Sequence, residues 1–138
     1  MAGISLHSLA IQRAEDFKTA FDNAAREHVQ GIIILSSPII LGQRELIAGL
    51  ALGNRQPTIS LFTLFPKSGG LIGYGPNLPE MYKRAGNYVD RILKGAKAAD
   101  LPIERPIKCE LVINLQTAKA LGISIPSVML ARADEVIE

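Results

Sequence analysis

The sequence predicts an α/β fold, a mostly parallel sheet flanked by helices, and three observations carry that reading. Apolar segments of strand length alternate with amphipathic segments of helix length along the 138 residues. Ile32-Ile33-Ile34-Leu35 is an unbroken apolar run without alternation, the pattern of a parallel strand covered on both faces. Parallel neighbours need crossover connections, which the helical segments supply. The length suits one α/β domain over residues 1–138, large enough to bury about two thirds of the surface of its unfolded chain. Hydrophobic residues make up 48% and charged residues 20%, the balance of a folded chain rather than a disordered one.

Taken in order, Ile4 to Leu9 reads as a short strand, and Asp16 to His28 as an amphipathic helix with Phe17, Ala20, Phe21 and Ala24 on one stripe. Gly31 breaks that pattern before the strand Ile32–Leu35, which stops at Ser36-Ser37-Pro38. A second helix is expected from about Gly42 to Leu52, with Gly53-Asn54 supplying the left-handed residue that closes it. Pro57 opens a strand from Thr58 to Phe62, Gly69-Gly70 make a turn, and Leu71 to Tyr74 form another short strand ahead of Gly75-Pro76-Asn77.

The clearest helix runs from about Pro79 to Lys94. Pro79 suits a first helical turn, Met81, Ala85, Tyr88, Val89 and Ile92 share a face, and Gly95 is the stop. Ala96 to Arg105 is a connector, with Pro106 just beyond. Glu110 to Leu115 returns to a strand pattern, Thr117 to Leu121 is a short helix closed by Gly122, and Ser127 to Val136 adds a further helical turn or two.

Composition also narrows the function. The 15 basic residues stand against 13 acidic ones and are scattered, with few aromatics between them, which argues against a nucleic-acid partner. The single cysteine, Cys109, can form no internal disulfide and reads as a small buried apolar residue. His7 and His28 stand apart without neighbouring ligand types, so no metal site is expected; His28 suits the negative end of a helix dipole. The first residues lack the basic and apolar regions of a secretory signal, and no window approaches the ~18 apolar residues of a membrane span. Taken alone, the chain is expected to be soluble and cytoplasmic.

In sheets of this kind ligands sit beyond the carboxyl ends of the strands. The candidate ligand-binding residues are therefore Ser36, Ser37, Phe62, Thr63, Tyr74 and Asn77. Ser36 and Ser37 are equally suited to capping a helix, because a serine hydroxyl accepts from free backbone N–H groups. Tyr74 can stack on a ligand or pack against a neighbouring lobe. Gly73-Tyr74-Gly75 has two glycines of a dinucleotide loop, but Leu78 stands in place of the third. A phosphoacceptor carboxylate is missing after Leu35, and no serine lies in a Gly-x-Ser-x-Gly turn, so no catalytic residue and no cofactor are expected.

Several long stretches carry a family resemblance. Gly69-Gly70-Leu71, Tyr74-Gly75-Pro76-Asn77-Leu78, the run YKRAGNYVDRILKGAKAADLPIE, then ELVINLQTAKALGISIP and the closing ARADEVIE occur in order over nearly the whole chain. They resemble the C-terminal half of the ABC-transporter substrate-binding family that includes tryptophan/tyrosine-type binding proteins.

The resemblance implies one lobe of a type I periplasmic binding protein, in which two α/β lobes close over a small solute and deliver it to a membrane permease. It implies an extracytoplasmic location, and a chain that starts at the second strand of its lobe, without the other lobe, its own first strand and helix, or the export signal. The absent strand and the bare stripe of the helix at 79–94 lead to the expectation of a homodimer. In amino-acid-binding relatives the loop after the strand matching Ile32–Leu35 carries Asp and Asn, and Glu and Asp lie near the positions of Phe62 and Asn77. Here Ser37, Pro38, Phe62 and Asn77 stand instead, so a ligand ammonium would lose its charged partners. The alternative reading is a free-standing interaction module that keeps the lobe's fold without transport.

Overall fold

A computed structural model describes residues 3–105 and 108–138. Pro106 lies outside the described residues, as do Met1 and Ala2 of the N-terminal segment. The elements in order are helix α1 (Asp16–Arg26), strand β1 (Ile32–Ile34), helices α2 (Pro38–Gly42) and α3 (Arg44–Gly53), strands β2 (Thr58–Ser60) and β3 (Ile72–Pro76), helix α4 (Leu78–Leu93), strand β4 (Cys109–Asn114), helices α5 (Leu115–Leu121) and α6 (Ser127–Arg132), and strand β5 (Glu135–Ile137). Short 3-10 turns occupy Pro66–Ser68 and Ala98–Asp100. The five strands lie side by side in chain order, all pairs parallel except β3 with β4. The mostly parallel α/β sheet is therefore as the sequence predicts.

Local chemistry accounts for most boundaries. The Asp16 carboxylate accepts from the backbone N–H groups of Gln12 and Arg13 at 2.9 Å each, fixing the turn that leads into α1. Those two donors also hold the Asp16 carboxyl below its usual range. Phe17, Phe21 and Ala24 are buried, and Ala20 is half-buried beside them. Phe17 and Phe21 pack with Ile34, Ile47, Ala48, Ala51 and Phe65 into one cluster, so the core lies between the sheet and α1 and α3. Burial of each of the large side chains among them, Phe17, Phe21, Ile34, Ile47 and Phe65, contributes roughly 1.5–3 kcal/mol. His28 lies two residues beyond α1 with φ of +54°, and the N–H of Val29 reaches back to Ala24 O, the six-residue closure usually built on glycine.

Five sequence expectations are corrected. Ile4 to Leu9 is not a strand: no regular structure is assigned there, because an extended segment becomes a strand only when its backbone groups pair, and β1 pairs with β2 alone. The apolar run at β1 is covered on one face only, since Ile33 is 64% exposed while Ile34 is buried. A separate helix, α2, precedes the one expected from Gly42; Ser37 caps it and Pro38 occupies its first turn, and the chain then bends at Gln43. Helix α3 is closed by Arg55 at φ of +53°, with Gly53 still helical, because the N–H groups of Arg55 and Gln56 bond to Leu52 O and Ala51 O. The tail turns into strand β5 after Arg132, where it finds the free edge of β4.

Cys109 is also not buried: it is exposed at the start of β4. Gly95 and Gly122 do take left-handed conformations after α4 and α5, as the sequence indicates. Gly73 and Gly75 are explained by a close crossing of backbone. A Cβ on Gly73 would stand 2.7 Å from Phe62 O, and one on Gly75 would collide with Leu61 O. These two glycines let the segment after β2 lie directly across β3.

Candidate functional site

Strands β1, β2 and β3 run the same way, so the segments that leave their carboxyl ends share one rim of the sheet. Ser36 and Ser37 follow β1, Phe62 and Thr63 follow β2, Tyr74 lies midway along β3, one residue past its last pairing with β2, and Asn77 lies just past β3. The topology therefore brings the six expected residues to one end of the sheet.

Their availability differs. Ser36 and Tyr74 are exposed, Phe62 is half-buried, and Thr63 is buried. The Ser37 hydroxyl accepts from the Ile40 N–H at 3.3 Å and so caps α2. Asn77 caps α4 by accepting from the Glu80 N–H at 3.0 Å. Its amide also donates to both oxygens of Glu110, at 3.2 and 3.1 Å. The Ser60 hydroxyl accepts from the Phe62 N–H at 3.1 Å, which fixes the turn that presents Phe62 and Thr63.

Glu110 was missed by the sequence reading. It lies opposite Gly75 on the antiparallel neighbour β4, is half-buried, and makes no ion pair among the described residues. The signal that would have found it is the pairing of β3 with β4, which places residues 75 and 110 side by side. The rim thus offers hydroxyl and phenol groups and one carboxylate already held by an amide. The hydroxyl and phenol groups can make neutral hydrogen bonds worth ~1 kcal/mol each, and the Glu110 carboxylate can make stronger, charge-assisted ones.

Beside the rim, α4 and the connector enclose an open groove of about 540 Å³, lined in part by Met81, Ala85, Ile92, Leu101 and Ile103. The Tyr88 hydroxyl donates to Pro102 O at 2.6 Å, and Arg84 pairs with Glu80 at 3.2 Å and Glu104 at 3.6 Å. Among the described residues no cluster of three metal-ligating side chains occurs, and no helix is long and apolar enough to cross a membrane.

This architecture, a parallel sheet whose strand ends converge on one rim, is that of the α/β lobes of periplasmic binding proteins. The model of the family described as ABC transporter substrate binding protein matches residues 1–137, and the chain belongs to that family. A conserved domain protein from Vibrio cholerae is 26% identical with a TM-score of 0.80, over 88% of this chain and 41% of that one. A Streptococcus pneumoniae ABC domain solved in complex with L-Trp is 24% identical with a TM-score of 0.87, over 99% of this chain and 47% of that one. A ligand-free, open substrate-binding protein with adhesive properties from Clostridium difficile is 18% identical with a TM-score of 0.62, over 92% of this chain and 42% of that one. The chain thus spans less than half the length of these solved structures. No curated protein sequence matches it significantly.

Proposed function

We propose that the chain is the C-terminal part, a single α/β unit, of the solute-binding component of an ABC uptake transporter. It contacts a small organic solute through Ser36, Ser37, Phe62, Thr63, Tyr74 and Asn77, in a cleft closed by a second lobe. The complex acts outside the cytoplasmic membrane and hands its solute to permease subunits, without catalysis of its own. The observation that carries this reading is the family match over residues 1–137 together with the gathering of all six residues at one sheet end. Ser37, Pro38, Phe62 and Asn77 stand where amino-acid-binding relatives carry polar or acidic residues, which argues against a free α-amino acid, while Glu110 is the one rim carboxylate that could face an ammonium.

The test is titration calorimetry of two proteins, this chain and the same chain completed by an amino-terminal lobe from a solved relative. Amino acids including L-Trp, aromatic acids and sugars are the probes. The chain alone is expected to bind none of them below micromolar concentration, since one lobe supplies half the contacts. The completed protein is expected to bind one of the non-amino-acid solutes, and Tyr74→Ala should weaken it. Binding that is indifferent to every rim substitution would refute the placement.

We also propose that the chain self-associates as a homodimer. The apolar stripe of α4 supports it, since Val89 and Ile92 are 55% and 44% exposed. Sedimentation that gives a monomer at micromolar concentration would remove this part of the reading. The engagement of Ser37 and Asn77 as helix caps also favours the second reading, an interaction module without transport. The DNA upstream of Met1 separates the two: an in-frame first lobe with a secretion signal supports transport.

A further inference from the structure

Among the described residues no cation neutralises the half-buried Glu110 carboxylate, and the fold sets that carboxylate into the rim. Glu110 is the cross-strand partner of Gly75, so its side chain leaves the ribbon on the face that a Cβ of Gly75 would occupy. The segment after β2 crosses that same face, because this Cβ would collide with Leu61 O. Asn77, two residues beyond Gly75, reaches the carboxylate with its amide. Glu110 therefore meets the Phe62–Thr63 segment and Asn77 on one side of β3. The amide orients the carboxylate and leaves its charge in place. Both contacts come from a single Asn77 nitrogen, whereas a carboxylate has about four lone-pair sites. The basic residues around it are committed elsewhere or out of reach. Arg84 pairs with Glu80 and Glu104, Lys108 pairs with Asp134, and Arg105 stands exposed on the connector without an ion pair to Glu110.

We infer that Glu110 is the counter-ion of a cationic solute, an amine or amidine that carries no carboxylate beside its charged nitrogen. This rests on the solute-binding reading above and names its class of solute. Glu110 and the six rim residues together bring one negative side chain and no positive one. The positive end of α4 also meets the rim, but Asn77 and Glu80 occupy it. An ammonium or amidinium donates to the free lone pairs of Glu110 through charge-assisted hydrogen bonds, which are roughly twice as strong as neutral ones. It also supplies the opposite charge that a carboxylate partly withdrawn from water lacks. A solute whose carboxylate adjoins its ammonium brings a second negative charge close to Glu110, and no rim lysine or arginine receives it. A neutral sugar or alcohol leaves the charge of Glu110 uncompensated. The rim thus selects for a cation by one attractive contact and against acids by the same charge.

The test has two arms and a matched set of probes: tryptamine, agmatine, L-Trp, indole-3-propionate and tryptophol. In the first, NMR follows the Asn77 side-chain amide and the Glu110 backbone amide of the full chain while each probe is added to millimolar concentration. The two amines are expected to move both signals, and the acid and the alcohol to leave them in place. Amines that move neither signal overturn the inference. In the second, calorimetry is run on the chain completed by an amino-terminal lobe. Tryptamine is expected to bind at least about tenfold more tightly than L-Trp, which differs from it by the carboxylate alone. Glu110→Gln, which keeps an oxygen for the Asn77 amide, should weaken amine binding at least about tenfold and tryptophol binding far less. An equal loss for every probe would make Glu110 a positioning residue and overturn its role as counter-ion. A completed protein that takes a sugar or an aromatic acid in preference to every amine overturns the cationic solute and leaves the solute-binding reading standing. One that takes none of the probes overturns both.

Discussion

At the scale of single residues, two polar groups of the rim have a structural role. Ser37 and Asn77 each satisfy a free N–H at the start of a helix. Their replacement by alanine should cost about 1 kcal/mol of stability each, whereas Tyr82→Ala, at an exposed position on α4, should stay within about 0.5 kcal/mol. Urea unfolding monitored by circular dichroism checks the contrast, and three equal losses would count against the capping roles. Gln56 is the opposite case. It is buried, and neither atom of its side-chain amide finds a partner among the described residues. Its backbone N–H already closes α3, so Gln56→Met keeps the turn and the volume while removing two orphaned polar atoms. A gain of about 1 kcal/mol in the same assay is expected.

At the scale of elements, the last strands are held by polar ties as much as by apolar packing. Asn114 ends β4 with its amide donating to Pro66 O at 2.9 Å and its oxygen accepting from the Thr117 N–H at 2.9 Å. Asn114→Ala loses the cap of α5 and one of the two hydrogen bonds to Pro66 O, which keeps the one from the Gly69 N–H, and should raise the free energy of the folded state by about 1–2 kcal/mol. Chemical denaturation measures it directly. Asp134 ties the tail to β4, pairing with Lys108 and accepting from the Leu111 N–H at 2.9 Å. The hydrogen bond from Lys108, and after it that from Leu111, holds the Asp134 carboxyl below its usual range. A carboxyl depressed in the folded state contributes stability above its unfolded pKa and loses it as pH falls through the folded one. Asp134→Asn should therefore be less stable than the parent at pH 7, with the gap closing below pH ~4. A gap that persists in acid would mean that the ion pair is not its source.

At the scale of the whole molecule, the sheet and α4 differ in how much they bury. The sheet unit encloses its own core around Phe17, Phe21, Ile47 and Phe65, while α4 buries nothing of its own. If the chain self-associates as proposed, the midpoint of thermal unfolding should rise with protein concentration, since association stabilises the folded form by mass action. Calorimetric scans across a hundredfold range of concentration give the answer, and a constant midpoint would point to a chain that unfolds as a monomer.

The helices and the parallel strands were legible because their signals are local. The Phe17–Phe21–Ala24 stripe, the Pro79 start and Gly95 stop of α4, and the apolar run at Ile32 each lie within a few residues of the structure they specify. The rim was legible for the same reason, since parallel strands deliver their carboxyl ends to one side. What needed tertiary structure was everything that depends on a distant partner. Ile4–Leu9 alternates like a strand but has no neighbour to pair with, and residues 135–137 lie in a stretch that reads as helix yet become a strand because β4 offers an edge. Glu110 reaches the rim only through the register of β3 on β4, and Ile33 is exposed because no element among the described residues lies over that face. Periodicity states which side of a segment is apolar, but pairing and coverage are free energies between segments far apart in sequence.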